Sequence, residues 1–151
     1  MSSRARRLAT PSAAGAPGRG AAGLGALLIL AGGLLHAAAV SEAFEEQTYV
    51  GVLFVLNGLG AIVVCVGLVS RPASRAFWAF GAVIAGGAFV GFILSRTTGL
   101  PSFKEDAWEP LGLVSLVLEA GFLLLAVQAF PAPPPRSSTG VLFGTSTRRA
   151  R

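Results

Sequence analysis

Four long apolar runs constrain this chain more than anything else in it. They cover residues 22–40, 48–69, 76–94 and 110–130. A helix needs about 20 mostly apolar residues to cross about 30 Å of hydrocarbon, and each run is close to that length. The runs are continuous and do not alternate, which argues against the strands of an outer-membrane barrel. A helix also satisfies its backbone hydrogen bonds within the segment, as lipid requires. The expected fold is therefore all-α: an integral membrane four-helix bundle whose first partner is the lipid bilayer.

Charge content supports this. Only 13% of the 151 residues are charged, against about 25% in a typical soluble domain. That is too few to cover a water-facing surface, which excludes an ordinary cytosolic enzyme and a disordered regulator. The single cysteine, Cys65, excludes an intrachain disulfide. No phosphate-binding loop, CxxC pair, HExxH or GxSxG pattern is present, so no enzyme activity is expected. The skew to arginine, with Lys104 the only lysine, and the abundance of Ala and Gly suggest a GC-rich bacterial genome.

The basic residues report topology rather than nucleic acid, which is not an expected partner. Arg4, Arg6, Arg7 and Arg19 precede the first run, Arg71 and Arg75 lie between the second and third, and Arg136, Arg148, Arg149 and Arg151 follow the fourth. The opposite side carries only Arg96 and Lys104, together with Glu42, Glu45, Glu46, Glu105, Asp106 and Glu109. The positive-inside rule then puts both termini in the cytoplasm, in a bacterial cytoplasmic membrane. Residues 1–21 and 131–151, rich in Arg, Ser, Gly and Pro, read as mobile cytoplasmic tails. Trp78 on the inner side, and Tyr49 and Trp108 on the outer side, fit interfacial belts. A competing reading makes the first run a cleaved signal peptide with Ala37-Ala38-Ala39 as the cleavage site.

Leu30-Ala31-Gly32-Gly33 resembles Ile84-Ala85-Gly86-Gly87, and each is followed by an outer loop and a run holding one polar residue. Two parallel helical hairpins would give that pattern. Gly87 and Gly91 form a GxxxG step, expected to pack against a neighbouring helix of the bundle, with a homodimer seam as the alternative.

The polar residues inside the runs are the candidate site. Glu119 lies about 13 Å into the fourth run at 1.5 Å per residue, where a carboxylate is costly and should face the interior. Asn57 has a matching depth, and a hydrogen bond between the two is expected. His36 lies near the outer end of the first run and Arg96 ends the third. Arg96 is expected to snorkel or to pair with Glu42, Glu45 or Glu109. Glu119, Asn57, His36 and Arg96 thus make an intramembrane polar cluster, with Glu42, Glu45 and Glu109 as acidic candidates in the outer loops. A lone histidine does not fill a coordination sphere, so no cofactor is expected and a metal site stays open.

The outer-side pattern resembles small four-helix membrane proteins of uncharacterised function from actinobacteria. The matching residues are His36, Glu42-Ala43-Phe44, Gly51, Asn57, Ser95-Arg96-Thr97-Thr98-Gly99-Leu100-Pro101, Glu109, Gly112, Ser115 and Glu119. Ala43 stands where the family commonly has His, and Ser115 where it commonly has Asp. The resemblance implies a fold and a compartment and no established activity. The first expectation for function is a non-enzymatic accessory or structural component of a larger membrane complex, with a membrane-protein partner or a homo-oligomer. A small carrier or ion- or proton-binding protein using Glu119 is the second, and a metal- or haem-binding redox protein the third.

Overall fold

The structure is a computed structural model and describes residues 17–130. It contains five helices: α1 (Arg19–Ala38), α2 (Val40–Glu46), α3 (Thr48–Ser70), α4 (Arg75–Arg96) and α5 (Pro110–Val127). No strand occurs among the described residues; Leu100 and Phe103 form one isolated bridge. The four longer helices are each long and apolar enough to cross a membrane. The expected tails lie outside the described residues except for residues 17–21, where α1 already begins at Arg19.

The helix limits have local causes. Pro110 opens α5 in its first turn, where its missing N–H costs nothing. Pro72 lies in the turn between α3 and α4. Gly99, at φ +82°, carries the chain out of α4, and its N–H bonds back to Leu94 O at 2.8 Å. A left-handed residue just beyond a helix satisfies the last carbonyls in this way.

Residues 41–47, expected as a plain connection, form most of α2 instead. Ala39 (φ −94°, ψ 5°) interrupts the helix between α1 and α2. α2 buries Ala43 and lays Phe44 against Gly51 of α3. Packing thus holds a seven-residue helix, which would be marginal in isolation.

α1 packs most extensively on α3, and α4 on α5, with α1 also against α5. Small residues let the backbones approach. A Cβ added at Gly33 would collide with Ala61, and Gly58 Cα lies 3.6 Å from the same position. Elsewhere glycines admit large rings: Gly25 faces Trp78, Gly67 faces Phe77, Gly81 faces Phe122 and Gly112 faces Phe92.

Two sequence expectations change here. Trp78, near the start of α4, is fully buried among the helices rather than facing outward as a belt residue would. Gly25 leaves space for its ring, Phe122 stacks on it at 5.6 Å, and its indole N–H donates to Pro72 O at 2.9 Å. Among the described residues Gly87 and Gly91 do not serve as packing glycines, since a Cβ at either meets nothing within 4 Å. Gly86 beside them touches Leu123. Outside this core, large apolar side chains such as Leu27, Val66, Val83, Val117 and Leu124 are exposed on every long helix.

Candidate functional site

His36 and Glu119 meet in the interior. His36 Nε2 lies 3.8 Å from Glu119 Oε1, an ion-pair distance slightly too long for a hydrogen bond. Nδ1 of the same ring lies 2.9 Å from Gly32 O, one turn back on α1. A carbonyl only accepts, so Nδ1 carries the proton in that bond. Phe54 of α3 meets the imidazole edge-on, with centroids 4.8 Å apart. The ring is therefore fixed on one edge by Gly32 and on its flank by Phe54, and it presents Nε2 to α5.

Glu119 is 4% exposed, and its Oε2 has no hydrogen-bond partner among the described residues. Beside it is a cavity of about 10 Å³ whose lining includes Gly32, Gly33, Asn57, Ala85, Glu119 and Phe122. That volume is at the lower limit for one water molecule. Asn57 shares this cavity with Glu119. The expected Asn57–Glu119 hydrogen bond is absent, and the near partner of the carboxylate is His36. Ser115, one turn before Glu119, is buried and bonds its own helix through Gly112 O at 2.9 Å.

The contact between His36 and Glu119 revises their expected depths. His36 is close to the end of α1, whereas Glu119 is well inside α5. The first turns of α5 therefore extend past the end of α1.

Arg96 does not join this cluster. It stands about three turns, or about 16 Å, along α4 from the cavity-lining Ala85. Its Nε donates to Ala107 O at 2.9 Å, its Nη1 donates to Ser95 Oγ at 2.9 Å, and its guanidinium stacks 3.7 Å over Phe92. No ion pair joins it to Glu42, Glu45 or Glu109 among the described residues. The Ala107 carbonyl of the 97–109 loop makes the direct contact expected of those carboxylates.

The same loop explains the Ser-Arg-Thr-Thr-Gly-Leu-Pro segment. Leu100 and Phe103 exchange backbone bonds of 2.7 and 3.0 Å around Pro101-Ser102. Ser102 has φ +56°, the positive sign that a type II turn requires at its third position after proline. From α3, the Tyr49 hydroxyl donates to Pro101 O at 2.9 Å. Gln47 Nε2, just ahead of that helix, donates to Ser102 O at 3.0 Å. This latch was not anticipated; the Leu-Pro-Ser turn signal was present, but its partners lie 52 and 55 residues away.

Glu42, Glu45 and Glu109 are exposed. Glu46 is held above the ordinary carboxylate range, first by partial burial and then by the negative charges of Glu105, Glu42 and Glu109. Among the described residues no three His, Cys, Asp or Glu side chains converge as metal ligands. Comparison with protein-family models, curated proteins and solved structures finds no match.

Proposed function

We propose that this chain is a multi-pass protein of the bacterial cytoplasmic membrane, with both termini cytoplasmic, and that it is a small non-enzymatic proton- or ion-binding protein acting through Glu119. The membrane reading is supported by four spanning-length helices with apolar outer faces. The orientation is supported by Arg19, Arg71 and Arg75 at one end of the bundle and Glu42, Glu45, Glu46, Glu105, Asp106 and Glu109 at the other.

The observation that carries the function is the buried His36–Glu119 contact beside a water-sized cavity. Sequence alone favours an accessory subunit. Two titratable groups converging from different helices shift the weight, because ionisable side chains inside membranes mark ion and proton sites. Reconstitution alone in liposomes tests this. Proton or cation movement that Glu119→Gln abolishes, with the fold retained, is expected. Unchanged movement in that variant contradicts the reading.

A second reading keeps the accessory role, in which the protein packs on a larger membrane complex. It is favoured by Gly87 and Gly91, where an added Cβ meets nothing within 4 Å among the described residues. Purification in mild detergent tests it: a stoichiometric partner lost in Gly87→Leu supports the accessory role.

A further inference from the structure

The pair His36–Glu119 can be taken further than ion binding in general. Gly32 O orients the imidazole so that Nδ1 bears the ring proton. In a neutral ring Nε2 then carries a lone pair, and that lone pair faces Glu119 Oε1. An ionised carboxylate at the same place would set two electron-rich atoms against each other in a buried, apolar setting. A ring protonated at both nitrogens, facing a neutral carboxylic acid, would leave an unpaired cation there. Both arrangements are costly, and one proton between the two side chains removes the cost.

Among the described residues nothing else nearby competes for that role: Glu42, Glu45 and Glu46 of α2 are exposed, and the Tyr49 hydroxyl of α3 donates to Pro101 O. α3 contributes Asn57, which does not titrate, and its Cys65 is about 12 Å further along the helix. The charged residues of α4, Arg75 and Arg96, stand at its two ends. α1 contributes only His36 at this level, since Arg19 opens the helix at the far end. α5 contributes only Glu119.

The site is also poorly made for a metal ion. Hard cations take about six oxygen ligands. Here one carboxylate and one amide share a cavity with room for about one water, and the Gly32 carbonyl already accepts from Nδ1.

We infer that His36 and Glu119 form a single proton-binding unit, holding one proton on either Nε2 or the carboxylate, beside a cavity that Asn57 also lines. The unit is neutral whichever partner carries the proton. Transfer from Oε1 to Nε2 turns acid and imidazole into carboxylate and imidazolium, with no change in net charge. Loss of the proton leaves the unit at −1, and uptake of a second leaves it at +1. This rests on the proposed Glu119 site but not on transport.

The test uses the fact that His36 is the only histidine in the chain. The full chain, with a histidine-free tag, is labelled with ¹⁵N in the histidine ring and placed in lipid nanodiscs. The expected spectrum shows Nδ1 protonated and Nε2 in a hydrogen bond or protonated, with the Nε2 signal shifting in Glu119→Gln while Nδ1 stays. Glu119→Asp, which draws the carboxylate away from Nε2, shifts the same signal and serves if the Gln variant does not fold. Sodium and zinc salts leave both signals in place. A bare Nδ1 with the proton on Nε2, an Nε2 signal indifferent to both variants, or displacement by zinc or sodium would each overturn the inference. A coupled Nε2 together with proton-tight liposomes would keep the proton unit and remove transport.

Discussion

Glu119 on α5 reaches His36 on α1 across the bundle, Oε1 to Nε2 at 3.8 Å, while its other oxygen, Oε2, is left without a partner among the described residues. Each group makes the burial of the other tolerable. Removing one partner should therefore cost more than removing both. His36→Leu alone is expected to destabilise by about 3 kcal/mol, because it strands a buried acid. Glu119→Gln should cost about 1 kcal/mol, since an uncharged amide of the same shape fills the site without stranding a buried charge. The His36→Leu/Glu119→Leu double variant should recover most of the loss. Thermal unfolding in detergent, read as a double-mutant cycle, gives the coupling directly.

The crossing of α1 and α3 depends on Gly33. A methyl group there collides with Ala61, and overpacking of this kind costs about 1–3 kcal/mol. Gly33→Ala and Gly81→Ala should both lower the unfolding temperature, the latter through Phe122 and Val64. Gly87→Ala and Gly91→Ala should leave the monomer unchanged or slightly more stable.

The loop latch gives a paired prediction. Tyr49→Phe removes the hydroxyl that donates to Pro101 O and should cost about 1 kcal/mol. Ser102→Gly should stabilise by a few tenths of a kcal/mol to about 1 kcal/mol, because glycine adopts the φ of +56° without strain. Protease susceptibility of the 97–109 segment should rise in the first variant and fall in the second.

Glu46 supplies the pH dependence. Its pKa is raised in the fold by partial burial and by Glu105, Glu42 and Glu109, so the folded state takes up the proton more readily than the unfolded chain. Ionised Glu46 therefore opposes folding at neutral pH, and the opposition is relieved as pH falls through its folded value. Because the residue is exposed, the effect should be only on the order of a few tenths of a kcal/mol. Glu46→Gln should raise stability by that amount at neutral pH, and the difference should vanish in acid.

Much of this fold was legible in the apolar runs, because span length and continuity are local properties. The starts at Thr48 and Pro110 agree with the runs. α2 was missed because Val40–Glu46 is too short and too acidic to register as a helix; Phe44 against Gly51 is what holds it. Trp78 was misread for a related reason. A tryptophan near the end of an apolar run is usually interfacial, and only the distant Gly25 creates the space that buries it. At the site, residue type and depth singled out His36, Asn57 and Glu119. Depth alone did not pair them correctly, since α1 stops short of the level that α5 reaches. Arg96 was grouped with them by chemistry, but helix length puts it with the 97–109 loop.

Infrared difference spectroscopy of the protein in lipid, between acid and alkaline buffers, tests the central claim most directly. If Glu119 binds a proton reversibly inside the bundle, wild type should show a protonated-carboxyl band distinct from those of the exposed acids, which moves in His36→Gln and is absent in Glu119→Gln. An identical band in wild type and Glu119→Gln, or none in either, would contradict a proton site at Glu119.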